Sequence, residues 1–91
     1  MIKSVYTKDA PAAIGPYSQA IQCGDMVFLS GQIPIIPETG KLVEGNIVQQ
    51  TEQVMKNIKN ILSAAGTDFT KVIKTTCFLA DINDFDAFNS V

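Results

Sequence analysis

One stretch of this chain constrains the fold more than any other, the segment from Asn46 to Gly66. Ile47, Thr51, Val54, Met55, Ile58, Ile61, Leu62 and Ala65 recur at spacings of three and four, the period of one face of an α-helix. Gln50, Glu52, Gln53, Lys56, Asn57, Lys59 and Asn60 fall mostly on the opposite side. Asn46 is suited to cap the start, because its side-chain oxygen can accept from the first free backbone N–H groups. Gly66 stands where a left-handed terminator belongs. Burying the larger apolar side chains of this stripe contributes about 10 kcal/mol before entropy is subtracted. A single stripe asks for a single partner surface, most simply one face of a sheet.

The rest of the chain supplies strands for that sheet. Tyr17–Cys23 reads as a strand with Tyr17, Gln19, Ile21 and Cys23 on one face. Met26–Ser30 is a nearly continuous apolar run, which suits a strand buried on both faces. Gly24-Asp25 between them makes a tight turn, so the two strands form a hairpin. Gly31 to Gly45 holds Pro34, Pro37 and Gly40, and prolines this close oppose both helix and central strand. It reads as a loop with a Pro-Glu-Thr-Gly turn. Val72–Ala80 is β-branched and aromatic, a third strand. Asn83, with Asp86 three residues on, resembles a capping box and opens a second helix whose apolar face carries Phe85, Phe88 and Val91. That pattern is still running at Val91, with nothing after it to return the chain to the sheet. Residues 1–91 therefore read as one α+β domain, incomplete at its C-terminal end.

Ninety-one residues bury a marginal core. Such a chain needs staples or association. Its two cysteines, Cys23 and Cys77, are far apart and read as small buried hydrophobes, which leaves association. A net charge of −2, seven lysines and no arginine provide no basic face for nucleic acid. The absence of histidine excludes Ser-His and Cys-His nucleophiles and histidine-ligated zinc. Asp81, Asp84 and Asp86 lack the length and the bend glycine of a calcium loop and fit a helix start better. No glycine-rich phosphate loop occurs. Met1–Pro11 is charged, unlike a signal peptide, and no apolar run spans a bilayer. The reading is a soluble cytoplasmic protein with no membrane partner.

Three places can carry chemistry. Tyr17 stands at the mouth of a strand, where a tyrosine by position alone keeps its hydroxyl in water. Ser30-Gly31-Gln32 ends the apolar strand. There Gly31 supplies an unusual backbone angle, or else a hydroxyl and a free N–H stand ready to hold a carboxylate or carbonyl oxygen. Asn89, near the start of the second helix, belongs by position to a solvated face.

Taken together these pieces resemble a known family. Ala10-Pro11-Ala12-Ala13-Ile14-Gly15-Pro16-Tyr17-Ser18-Gln19-Ala20 resembles the opening of the Rid (YjgF-like) family, and Ser30-Gly31-Gln32-Ile33-Pro34 follows at the family's usual place. Gln50–Gly66 resembles its first long helix. Lys74–Leu79 and Asp81–Phe85 resemble its third strand and second helix start. The resemblance implies a chorismate-mutase-like α+β fold, a mixed sheet with two helices on one face. It also implies a homotrimer with ligand clefts between subunits. The implied activity is hydrolytic deamination of 2-aminoacrylate, 2-iminopropanoate and 2-iminobutanoate to 2-keto acids and ammonia, without metal or organic cofactor. By the same resemblance Tyr17, Ser30 and Asn89 are catalytic and Gly31 binds substrate. The family's carboxylate-clamping arginine comes after the second helix, and this chain has no arginine. The family's later cysteine and glutamate would also lie beyond Val91, and Cys77 is not that cysteine. The alternative is a non-catalytic trimer that binds small carboxylates or client proteins. RNA cleavage, also attached to the family, is opposed by the charge.

Overall fold

The computed structural model describes residues 2–91. Three strands, Ile2–Val5 (β1), Ala20–Cys23 (β2) and Met26–Leu29 (β3), form an antiparallel sheet in that order, with β2 in the middle. Gly24-Asp25 turns β2 into β3, as the sequence indicates. Val5, Ala20 and Leu29 stand opposite one another across the sheet, and so do Ser4, Ile21 and Phe28. Successive residues of a strand point to opposite faces. The first set therefore faces the helix, while Ile2, Met26 and Phe28 stay exposed on the other side.

The long helix α1 spans Ile47–Ala64. Asn46 Oδ1 accepts from the N–H groups of Val48 (3.0 Å) and Gln49 (3.3 Å), and Gln49 Oε1 accepts from the Asn46 N–H (2.9 Å). This reciprocal box satisfies donors that an open helix end leaves unpaired. At the other end Gly66 takes φ +81°. The Thr67 N–H then reaches back to Leu62 O (2.9 Å) and the Gly66 N–H to Ser63 O (3.0 Å), a Schellman ending. Ile61 is fully buried against Val5, Ala10 and Ala20, with Val27, Leu29 and Ala65 around them. Met55, placed on the apolar stripe by spacing, remains partly exposed.

The helix has a second partner surface that its single stripe does not announce. Ile35–Ile36 (β4) and Lys41–Leu42 (β5) pair antiparallel. Pro37–Gly40 forms the turn between them, with the Gly40 N–H donating to Ile36 O at 2.9 Å. The segment read as a loop is thus a small hairpin. Pro34 and Pro37 sit just outside its paired residues, where no ladder donor is needed. Asn57, assigned to the solvated side of α1, is fully buried against this segment.

Other expectations are corrected. β1 carries no apolar signature, since Lys3 and Ser4 lie on the exposed edge strand. Strand β2 begins at Ala20 rather than Tyr17. Val72–Ala80 is not a strand: no strand among the described residues lies beside it, and Ile73 is 85% and Phe78 93% exposed. Strand character resides in the ladder, not in β-branched composition alone. Every strand pair among the described residues is consequently antiparallel, although a strand reached through α1 would run parallel and make the sheet mixed. Both cysteines are exposed, Cys23 on the sheet face turned from the helix and Cys77 in the unpaired segment. Asp81, not Asn83, caps the second helical segment, accepting from the Asn83 N–H at 2.9 Å. A 3-10 turn over Ile82–Asp84 leads into α2, Phe85–Ser90, which packs beside α1. The Phe85 and Phe88 rings lie 6.4 Å apart. Among the described residues no helix is long and apolar enough to cross a membrane.

Candidate functional site

A crevice of about 170 Å³ opens between the segment before β2 and the segment after β3, with Ile14, Tyr17, Gln19, Gly31, Ile33 and Ile35 among its walls. The chain forms it because two irregular segments flank one hairpin. The first is Pro11–Ser18 and the second Ser30–Pro34, and neither enters a ladder.

The Gln19 side chain builds the first wall. It is buried (2% exposed). Its Oε1 accepts from the Thr7 N–H (2.7 Å), and its Nε2 donates to Thr7 O (3.0 Å) and Pro11 O (2.8 Å), with Ala10 O at 3.3 Å. Every polar atom of a buried amide must be partnered in this way. Tyr17 stands on the same wall, about half exposed (51%). Its hydroxyl oxygen accepts from the Ile14 N–H at 3.3 Å, which leaves the phenolic proton free to donate.

Gly31 begins the second wall, and Ser30, the residue before it, is not among the residues that line the crevice. The Ser30 Oγ donates to Ser18 O at 2.5 Å, and the Ser30 N–H to Gln19 O at 3.0 Å. With its proton engaged, the Ser30 hydroxyl can only accept from a ligand. Gly31 takes no positive φ, contrary to the conformational reading of that glycine, and a Cβ there would meet nothing within 4 Å. Its N–H has no acceptor among the described residues. The missing side chain therefore leaves an open backbone donor beside the crevice. Tyr17 O–H and Gly31 N–H are thus two donors at one concavity, an arrangement suited to an oxygen carrying negative charge.

The structure brings Tyr17 and Gly31 together and ties Ser30 beside them. Asn89 is exposed on α2, outside the crevice walls. Gln19, Ile33 and Ile35 are wall residues that the sequence reading did not assign to the site. A polar depression of about 200 Å³ lies elsewhere, among Asp9, Glu38, Lys56 and Asn60. Its charged walls are solvated and its Asn60 amide already donates to Asp9 O at 2.7 Å. The crevice, with its unpartnered donors, is the better candidate.

The α+β arrangement of a capped helix laid on an antiparallel sheet is one that this chain shares with Rid-family proteins of known structure. The Endoribonuclease L-PSP family model matches residues 7–91, and the chain belongs to that family. Mouse 2-iminobutanoate/2-iminopropanoate deaminase is 49% identical over 89 residues, covering 98% of this chain and 66% of the mouse protein. The crystal structure of YyfA from Yersinia pestis, a Rid-family protein, superposes with a TM-score of 0.97 at 50% identity, over 99% of this chain and 71% of that one. E. coli TdcF with bound serine superposes with a TM-score of 0.92 at 43% identity, over 97% and 68% respectively.

Proposed function

We propose that this chain is the N-terminal part of a cytoplasmic Rid-family deaminase, which hydrolyses 2-aminoacrylate, 2-iminopropanoate and 2-iminobutanoate to 2-keto acids and ammonia. The observation that carries the reading is the pair of free donors, Tyr17 O–H and Gly31 N–H, at one small crevice. The deaminase name of the mouse relative agrees with it. In the reaction 2-aminoacrylate first tautomerises to 2-iminopropanoate, taking a proton at its methylene carbon and losing one from nitrogen. A water oxygen then bonds to the C=N carbon while a proton of that water passes to the imine nitrogen. The C–N bond of that adduct then breaks, ammonia leaves, and the carbonyl forms. Such a step needs the imine and the water held at attack distance, and donors for the substrate carboxylate and for the nitrogen onto which the C=N electron pair moves. Tyr17 and Gly31 supply the donors. The Ser30 lone pairs accept from the water.

Within one copy Asn89 does not reach the crevice. Its role is assigned to a homotrimer, in which the exposed sheet face with Ile2, Met26 and Phe28 packs inward and each cleft draws walls from neighbouring copies. The chain spans 71% of YyfA. The remaining strands of the domain, and the arginine that grips the substrate carboxylate by a bidentate fork, are expected to follow Val91.

The test uses 2-iminobutanoate generated in situ by a threonine dehydratase. The intact gene product should release 2-oxobutanoate faster than the spontaneous rate, and no acceleration rejects the deaminase. A second reading, a trimer that binds small carboxylates without turnover, is favoured by the serine bound in TdcF. Serine or 2-oxobutanoate binding without acceleration, in a gene product with no arginine after α2, would select it.

A further inference from the structure

Asn57 contradicts the pattern of its own helix. It is as fully buried as Ile61, and with Gln19 and Thr51 it is one of the few buried polar residues among those described. Its amide is nonetheless satisfied. Nδ2 donates to Ile35 O (2.9 Å) and lies 3.4 Å from Ile33 O, and Oδ1 accepts from Gln53 Nε2 at 2.8 Å. Ile33 and Ile35 are crevice wall residues, and Asn57 is not. Asn57 instead faces the polar depression on the other side of that wall. Its influence on the crevice runs only through two backbone carbonyls.

Little else fixes the near end of this wall. At its far end the wall is anchored by the β4–β5 ladder, where Ile35 stands opposite Leu42 and the Val43 N–H donates to Pro34 O at 2.8 Å. Between Gly31 and Ile33 the only other backbone tie among the described residues is a local Ile35 N–H to Ile33 O contact at 2.7 Å. A leucine at position 57 would satisfy the helix pattern and avoid burying an amide, which is costly unless every polar atom is paired. What an amide provides and a leucine does not is a defined position for two carbonyls. We propose that Asn57 is a positioning residue for the crevice: through Ile33 and Ile35 it sets the distance of the second wall, and of the Gly31 N–H, from Tyr17. This rests on the deaminase reading for its substrate.

The test compares Asn57→Asp and Gln53→Met with wild type in the intact gene product. Asn57→Asp keeps the shape and the acceptor for Gln53 but removes the donor to the wall. Gln53→Met leaves the donor and frees its orientation, on a half-buried side chain, and it takes from the buried Asn57 Oδ1 its Gln53 partner. Two quantities are read, KM for 2-iminobutanoate and Kd for 2-oxobutanoate by NMR titration. Both should rise about tenfold in Asn57→Asp, since small misplacements of a binding wall act at this scale. Both should rise less, in the same direction, in Gln53→Met. A purely structural role lowers the folded fraction, hence apparent kcat, and leaves KM and Kd in place. That result overturns the proposal, as do wild-type constants in both variants. If Asn57→Asp does not fold, Gln53→Met decides. A wild type that binds 2-oxobutanoate but does not accelerate hydrolysis removes the deaminase and leaves the Kd comparison to judge Asn57. A wild type that binds nothing overturns both.

Discussion

Gln19 and Thr7 exchange two hydrogen bonds, Thr7 N–H to Gln19 Oε1 at 2.7 Å and Gln19 Nε2 to Thr7 O at 3.0 Å. The last ladder pair of β1 and β2 is Val5 with Ala20. The side-chain amide therefore continues the pairing one step past the sheet, in the place of a neighbouring peptide. The same nitrogen reaches Pro11 O at 2.8 Å, so one side chain folds the 7–11 segment over the rim of the crevice.

Gln19→Leu is expected to be among the more damaging single changes here. Each buried group left without a partner costs about 1–3 kcal/mol, and the Thr7 N–H and the Pro11 carbonyl both lose theirs. Urea denaturation measures the loss. A midpoint equal to wild type would show that water replaces the amide.

Gly31→Ala should separate stability from binding. The backbone there is ordinary and a Cβ has open space, so folding stability should stay the same or rise by about 0.4–1 kcal/mol. The added methyl stands beside the open N–H, and 2-oxobutanoate affinity should fall severalfold. Tyr17→Phe should behave alike, with unchanged melting temperature and lower turnover. Parallel loss of stability and affinity in both variants would make this end of the sheet structural only.

Gly45→Ala should weaken the start of α1. Gly45 has φ +143°, and a Cβ would lie 2.9 Å from Gln49 Oε1 and 3.1 Å from Gln49 Cβ. The methyl would collide with the side chain that closes the capping box. Forcing a non-glycine residue into such a conformation costs about 1–3 kcal/mol. Amide exchange in the first turn should accelerate more than exchange near Ile61, and uniform acceleration would argue against a local effect.

Asp68 gives the acid limb of stability a direction. The Thr70 hydroxyl and then the Thr70 N–H donate to its carboxylate and hold its pKa below the ordinary 3.8. A carboxyl that is more acidic folded than unfolded stabilises the fold above its ordinary pKa, and that contribution is lost as pH falls through the depressed value. Asp68→Asn should make stability less sensitive to acid over that window. Because the group is exposed, the change will be small. An unchanged slope in pH-dependent melting would contradict it.

The elements that the sequence announced are those whose signals are local. Asn46 and Gly66 delimit α1 by their own backbone and side-chain chemistry, and Gly24-Asp25 turns a hairpin within two residues. The elements that escaped depend on distant partners. β1 is a strand because β2 lies beside it, and Val72–Ala80 is not one because nothing does. Asn57 was misplaced for the same reason. It lies three residues after Val54 and four before Ile61, a spacing that puts it on the apolar stripe, but its polarity argued for solvent. The carbonyls that reconcile the two belong to residues 22 and 24 positions away. Of the residues that motif order singles out, Tyr17 and Gly31 line the candidate crevice while Ser30 and Asn89 do not, and the buried amides that hold its walls carry no such signal.

The unpaired stretch Val72–Ala80 has a consequence for anyone handling this polypeptide. Ile73 and Phe78 in water, on a β-prone backbone with no ladder partner among the described residues, give residues 1–91 taken alone an unpaired edge of the kind on which identical chains associate. Lys71 and Lys74 act as charged gatekeepers along it. Shelf life in concentrated solution should therefore shorten as salt screens those two ammonium groups.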